Sequence, residues 1–232
     1  IIDREQVDAV LLAGDVYDSS VSNADAIAVY NDATTEICAK RNVPLLVIAG
    51  NHDGAARLAS CRELLKAAGL YVTGRLIWPI KPVVLEDVEI YSVPFFNKEE
   101  VAALFPEYKK EITSQEKAMQ MICDGIRASW DPEKKHILMT HALIVNAELS
   151  ESDRSARVGL ATAISKDVFE GFDYVALGHI HKPQRINERI RYSGSPVKYS
   201  FGKEEEQEKY VILFDTETMT QREITILQLH ER

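Results

Sequence analysis

Four short polar clusters, each placed directly after an apolar run, are where this sequence could do chemistry. They are Gly14-Asp15-Val16-Tyr17-Asp18, Gly50-Asn51-His52-Asp53, Thr140-His141 and Gly178-His179-Ile180-His181. A carboxylate such as Asp15 can bridge two divalent cations, because each of its oxygens can bind one. The Asn51 side-chain oxygen is a neutral hard ligand, and His52 beside it could donate a proton. Asp53 could hydrogen-bond to the His52 imidazole and fix its tautomer. In His179-Ile180-His181, the alternation of a strand would present both imidazoles on one side. Each cluster also has a plain structural reading. Gly-Asp and Gly-Asn pairs end strands as simple turns, and a lone histidine such as His141 is often a satisfied core residue.

Together, Asp15, Asn51, His52, His141, His179 and His181 form a mixed nitrogen and oxygen donor set without thiolate. Such a set suits manganese, iron or zinc rather than calcium. A pair of such cations, about 3.5–4 Å apart, would lower the pKa of a bridging water and clamp a phosphoryl group for displacement. The leaving oxygen would then need a proton, and His52 is the candidate donor. His136 and His230 lie in polar surroundings and read as bystanders.

The elements that must position these residues alternate between strand and helix. Val7 to Ala13 and Leu45 to Ala49 read as apolar strands, followed by helices over Asn23 to Arg41 and Arg57 to Ala68, with Gly69 as a stop. Val83 to Leu85 and Val88 to Val93 read as a hairpin joined through Glu86-Asp87, and Ser114 to Trp130 reads as a helix. Ile137 to Met139 and Tyr174 to Leu177 are further strands. Arg189 to Tyr192, Tyr210 to Phe214 and Glu223 to Leu229 alternate like antiparallel strands. Short, fully apolar strands alternating with helices predict an α/β fold whose sheet is covered on both faces. Four strand ends, at Asp15, Asn51, His141 and His179, would carry the chemistry, as ligand sites gather outside the carboxyl ends of strands.

Composition narrows the function without naming it. The 232 residues are 46% apolar and carry 27 Lys and Arg against 36 Asp and Glu, a net charge of −9. That balance excludes a simple basic nucleic-acid binder, since phosphate contacts need lysines and arginines. Cys38, Cys61 and Cys123 lie far apart with no C-x-x-C spacing, which predicts reduced thiols rather than a disulfide framework or a thiolate zinc site. No apolar run is long enough to cross a bilayer and no secretion leader is visible, so cytoplasm is the expected compartment.

The ordered elements GDVYD, GNHD, THA and GHIH, spanning residues 14 to 181, resemble the calcineurin-like metallophosphoesterase superfamily. Within it, LLAGDVYDSS, VIAGNHDGAARL, FDYVALGHIHKPQ and IRYSGSPVKYSF resemble the bacterial SbcD-type nuclease subunits of double-strand-break repair, as does the loop from Glu148 to Gly159. The resemblance implies a four-layer sandwich, two mixed β-sheets packed face to face with helices outside. It implies two metal ions, preferably manganese. Asp15 would bridge them, Asn51, His141 and His179 would complete one site, and His181 would belong to the other. His52 would be the catalytic histidine, supported by Asp53, and Ser195 and Arg154 would contact substrate. The implied activity is that of a DNA exonuclease and endonuclease, a homodimer working with an SbcC-type ATPase in the bacterial cytoplasm. Helices over Ala24 to Cys38 and Arg57 to Ala68 would form the dimer face.

One departure counts. Family members carry a D-x-H motif on a first strand, and none precedes Asp15 here; Ile1 to Asp8 reads as the tail of a helix. The expectation is therefore one phosphoesterase domain over residues 1–232, without its D-x-H strand and any C-terminal capping domain, and with a weak first metal site. Two other readings share parts of the pattern. A phosphoprotein phosphatase would show GDxVDRG and GNHE where Tyr17-Asp18-Ser19 and Asp53 stand, and a small-molecule phosphodiesterase would not predict Tyr192-Ser193-Gly194-Ser195-Pro196. A scaffold that had lost catalysis would show substituted ligands, whereas Asp15, Asn51, His141, His179 and His181 are all intact.

Overall fold

A strand that is apolar on both faces must be covered on both, and Leu45–Ile48 is buried along its whole length. The computed structural model describes residues 1–150, 152–153, 162–199 and 207–226. Strands β1 (Val10–Leu12), β2 (Leu45–Ile48) and β3 (Leu70–Thr73) form a three-stranded parallel sheet in that order. A second, six-stranded sheet has β4 (Val83–Leu85), β5 (Val88–Val93), β6 (Lys135–His141), β7 (Tyr174–Gly178), β8 (Gln184–Arg185) and β9 (Ile190–Tyr192) in the order β4-β5-β6-β7-β9-β8. Its inner strands β5, β6, β7 and β9 run parallel, and β4 and β8 pair antiparallel at the two edges. β10 (Tyr210–Asp215) and β11 (Thr220–Thr225) make a separate antiparallel ribbon.

Side-chain alternation sorts the residues into layers. In β2, Leu46 and Ile48 face the second sheet, where they meet Val88, Ile90, Ile137, Met139 and Tyr174. Leu45 and Val47 face the other way, toward Cys38, Leu58 and Leu65 on the outer helices. β6 and β7 divide likewise, with Leu138, Val175 and Leu177 packed outward. The layers are thus helix, sheet, sheet and helix, a four-layer α/β sandwich. Of the two stacked sheets, the six-stranded one is mixed and the three described strands of the other are all parallel. The β10–β11 ribbon extends the inner layer, where Phe214 stacks on Tyr174 with ring centroids 4.3 Å apart.

On the first sheet's outer side lie α2 (Ala24–Thr34), α3 (Ala55–Leu58) and α4 (Arg62–Lys66), while α1 (Ile2–Glu5) buries no residue and pairs Asp3 with Arg41 and Glu5 with Arg222. Asn23 caps α2 by accepting from the Ala26 amide at 2.7 Å, and the helix continues as a π-helical segment, Thr35–Lys40. Over the second sheet lie α5 (Lys98–Leu104) and α6 (Gln115–Arg127). α6 is capped by Ser114 and buries Ala118, Met119, Ile122, Cys123 and Ile126. Each of its large apolar side chains contributes about 1.5–3 kcal/mol by leaving water.

Three elements differ from expectation. The strand expected over Glu223 to Leu229 forms as β11, Thr220–Thr225, and residues 227–229 of that expectation lie outside the described residues. The helix predicted over Arg57 to Ala68 is broken into α3 and α4 by Cys61, which sits at φ 57°. Leu58 and Leu65 both still face the sheet, so the apolar spacing runs through the break and conceals it. β9 pairs antiparallel only with β8; against β7 it is parallel. The Asn187 side chain accepts from the Arg189 and Ile190 amides, both at 2.8 Å, and turns the chain into that edge hairpin. β3 and α5 carry no clear signal in the sequence and emerge only in the fold. Cys38 and Cys123 are buried, Cys61 is exposed, and all three are free thiols. Among the described residues, no helix is long and apolar enough to cross a membrane.

Candidate metal centre

β1, β2, β6 and β7 deliver their polar ends to one place. After β1, Asp15 adopts φ 49°, and its Oδ1 accepts from the His52 backbone amide at 2.9 Å. Asn51 follows β2, and its Oδ1 lies 3.0 Å from His141 Nε2 and 2.9 Å from His179 Nδ1. Those two ring nitrogens are 3.2 Å apart, and Asp15 Oδ2 is 3.2 Å from His141 Nε2. Asp15, His141 and His179 each offer a ligand atom within 4.8 Å of the others.

The proton positions follow from chemistry. His141 Nδ1 is 2.8 Å from the Ala13 carbonyl oxygen, which can only accept, so Nδ1 carries the proton. In the neutral ring, Nε2 then presents a lone pair toward the Asn51 oxygen, an Asp15 oxygen and His179. Lone pairs facing one another at about 3 Å need a proton or a cation between them, and neutral imidazole, carboxylate and amide oxygen are the donors a divalent transition ion takes. The residues present therefore fit a metal ion.

Electrostatics agree. Burial pushes the His179 imidazole down to about 4, with Asp15 opposing. It is therefore neutral near pH 7, with a lone pair to give. Burial acts to raise the Asp15 carboxyl, but the adjoining His141 side chain and the His52 amide hold it below the ordinary carboxylate value.

Two glycines make the convergence possible. A Cβ on Gly50 would lie 2.3 Å from the Asp15 backbone nitrogen, and one on Gly178 would lie 1.7 Å from the Ala13 carbonyl oxygen. Neither contact can be relieved by a flexible side chain turning away, so the residue preceding Asn51 and the one preceding His179 must lack a side chain.

A family model for calcineurin-like phosphoesterases matches residues 1–183. The chain belongs to that family. It is 32% identical over 213 residues to the SbcD subunit of the SbcCD nuclease from Staphylococcus epidermidis, an overlap of 91% of this chain and 56% of the relative. With the SbcD subunit from Staphylococcus saprophyticus it shares 31% identity over 210 residues, 90% of this chain and 55% of that one. The chain thus spans about half the length of the curated relatives it matches. Calcineurin-like phosphoesterases are metal-binding hydrolases, and Asp15, His141 and His179, with the Asn51 oxygen among them, form a candidate site for a divalent ion.

In this calcineurin-like phosphoesterase several expected roles are redistributed. Asp53 does not hold the His52 ring. Its carboxylate accepts from the backbone amides of Gly50 at 2.8 Å, Tyr17 at 3.0 Å and Val16 at 3.2 Å, and so ties the loop after β1 to the loop after β2. The ring of His52 instead places Nδ1 3.1 Å from the Asp18 carbonyl oxygen. Burial raises the Asp53 carboxyl above the usual range, although the three amides oppose it.

His179 and His181 do not share a strand face, because β7 ends at Gly178 and His179 sits at φ 103°. His179 joins the metal cluster. His181 Nδ1 lies 2.7 Å from Ser152 Oγ, and its amide donates to Asp153 Oδ1 at 3.0 Å. The ring also stacks on Tyr199, with centroids 5.0 Å apart. Ser195, expected at the substrate, is buried: its hydroxyl donates to the Val197 carbonyl at 2.7 Å and accepts from Lys209 Nζ at 3.0 Å. Lys209 is itself 1% exposed and donates to the His181 carbonyl at 3.1 Å. Ser195 and Lys209 thus brace the His181 turn. Arg154 and His230 lie outside the described residues. His136 is a bystander, stacked on Trp130 at 4.0 Å.

Asp153 and Lys209 are the two residues of this region that sequence reasoning missed. Asp153 accepts from both the amide and the hydroxyl of Ser150, at 2.6 and 2.7 Å, as well as from His181. A charged residue in a polar loop carries no sign of burial in sequence, so no local signal pointed to either.

Proposed function

We propose that this phosphoesterase domain is the nuclease part of an SbcD-type DNA-processing subunit, a manganese-dependent exonuclease on duplex ends and endonuclease on single strands. The observation that carries the reading is the convergence of Asp15, His141 and His179 around the Asn51 side-chain oxygen, in a chain 31–32% identical to the SbcD subunits of SbcCD nucleases. Divalent cations, which Asp15, Asn51, His141 and His179 would hold together with His181, would supply Lewis acidity and an activated water. His52 would give a proton from Nε2 to the leaving oxygen, with Nδ1–H held by the Asp18 carbonyl. Asp53 would keep Asp15 and His52 in register by clamping both loops.

A net charge of −9 makes for weak non-specific DNA binding, since counterion release needs cations at the phosphates. The reading therefore includes an SbcC-type ATPase that supplies much of the grip, and a homodimer, acting in the bacterial cytoplasm. The reading assigns the dimer face to the helices over Ala24 to Cys38 and Arg57 to Ala68, where Val29 and Leu64 are exposed.

The test uses the full-length protein in manganese, with and without the ATPase, on duplex, single-stranded and phosphopeptide substrates. DNA cleavage, with duplex binding at about 0.15 M salt weak until the partner is added, is expected. Phosphate release from phosphopeptides with no cut in any DNA would overturn the nuclease reading. Tight duplex binding by the lone nuclease would overturn the partner requirement.

A further inference from the structure

Beside the metal centre opens a cavity of about 200 Å³ that has three walls in common with it, Asn51, His141 and His179. The rest is mostly apolar: Phe95, Phe96, Met119, Leu143 and Ile164, with four of these five buried and Phe95 half-buried at the mouth. Among the described residues, no lysine, arginine, aspartate or glutamate lines it. The remaining polar side chains there are Asn97, Gln115 and Thr162.

Phe95 is held firmly. Its amide donates to the Ala49 carbonyl at 2.9 Å, fastening the chain after β5 to the end of β2 just before Asn51. The ring stands nearly perpendicular to His141, at 85° with centroids 6.2 Å apart. Gln115 spends one amide proton on the Phe96 carbonyl at 2.8 Å, which fixes that wall too.

The chemistry of the occupant follows by elimination. A second anion would find no cation in these described walls. A sugar would bring more hydroxyls than three polar side chains can satisfy, and an unpaired buried hydroxyl is costly. The volume lies below the about 300–1,000 Å³ of sites for drug-sized ligands, which leaves a single flat group. A neutral aromatic ring with a hydrogen-bonding edge matches the walls, and it must be attached to a phosphate that reaches Asn51 and His141.

We propose that this cavity is a nucleobase pocket. It takes the base of the nucleotide whose phosphate occupies the metal centre, and Phe95 is its specificity-determining wall. Amide side chains both donate and accept, so Asn97 and Gln115 can meet any base edge, and the pocket selects nucleotides over other phosphodiesters without strong preference among bases. The inference rests on the phosphodiesterase reading above and sharpens it to the substrate's base.

The experiment compares two esters with the same leaving group, thymidine 5′-(p-nitrophenyl) phosphate and methyl p-nitrophenyl phosphate, on full-length protein in manganese. Wild type should show a KM for the thymidine ester at least about tenfold lower, in the range that stacking of one base supplies. Phe95→Ala should erase most of that ratio and Phe95→Trp should restore it. A ratio unchanged in Phe95→Ala overturns the pocket. In parallel, calorimetry on the manganese-loaded protein compares thymidine 5′-monophosphate with inorganic phosphate. Tighter nucleotide binding, lost in Phe95→Ala, is expected, and equal binding of the two overturns the pocket. If wild type hydrolyses neither ester, the phosphodiesterase reading falls, and the calorimetric preference still decides the pocket by itself.

Discussion

His141 Nδ1 lies 2.8 Å from the carbonyl oxygen of Ala13, a residue 128 positions earlier in the chain. Ala13 follows β1 on one sheet and His141 ends β6 on the other, so the contact joins the two sheets at the metal centre. It also sets chemistry, because a carbonyl that can only accept keeps the proton on Nδ1 and leaves the Nε2 lone pair facing Asn51, Asp15 and His179. The inner core between the sheets, with Leu46, Ile48, Ile137 and Met139 in contact, holds that spacing.

The distinction between ligand and proton donor is testable. Asn51→Ala removes the oxygen that both His141 and His179 face, and metal content measured by mass spectrometry of the full-length protein should fall at least about tenfold. His52→Ala should keep its metal while turnover drops roughly 10²–10⁴-fold. Loss of metal in the His52 variant would make it a ligand instead.

Asp53→Asn examines the loop clamp. One carboxylate oxygen becomes an amide that faces backbone N–H groups, so up to two of the three amides lose an acceptor, Gly50 and Val16 on Oδ2 or Tyr17 on Oδ1. Metal-free protein should lose about 1–3 kcal/mol in urea denaturation. Unchanged stability, with a shift confined to the His52 ring resonances, would instead place Asp53 behind the imidazole.

Gly178→Ala should be the most damaging single methyl group in the centre. Its Cβ would meet the Ala13 carbonyl at 1.7 Å and His141 Nδ1 at 2.8 Å, so β1 and β7 would have to part. Overpacking costs of about 1–3 kcal/mol are usual, and backbone against backbone belongs at or above the top of that range. A soluble variant with wild-type melting temperature and metal affinity would contradict the close approach.

Lys209→Met keeps the buried apolar stem but removes the Nζ donor from the Ser195 hydroxyl and one of the donors to the His181 carbonyl, which keeps the Ser195 amide at 3.1 Å. The expected cost is about 1–3 kcal/mol, at about 2–4 °C of melting temperature per kcal/mol for a domain of this size. Calorimetric melting of the full-length protein checks it; a rise in melting temperature would mean that burying the charge costs more than its bonds return.

The four strand ends were legible in the sequence because an apolar run that stops at a polar residue marks where a buried strand meets solvent. The periodicity also carried the capped helices at Asn23 and Ser114 and the Glu86-Asp87 hairpin. Other parts were hidden. Leu58 and Leu65 keep their spacing through the break at Cys61, and the period-two argument for His179 and His181 required a strand that ends one residue too early.

By itself, then, the sequence determined which residues could donate to a metal, in what order they follow their strands, and the layered α/β class that brings strand ends together. Only the tertiary structure decided who touches whom. It gave Asp53 to three backbone amides, His181 to Ser152 and Asp153, Ser195 to Lys209, and the His141 proton to Ala13. Residue type and period are local properties written along the chain. A hydrogen-bond partner is set by which distant loop the packed sheets bring within about 3 Å, and β-strand registry and glycine-permitted close approach, not neighbouring sequence, fix that distance.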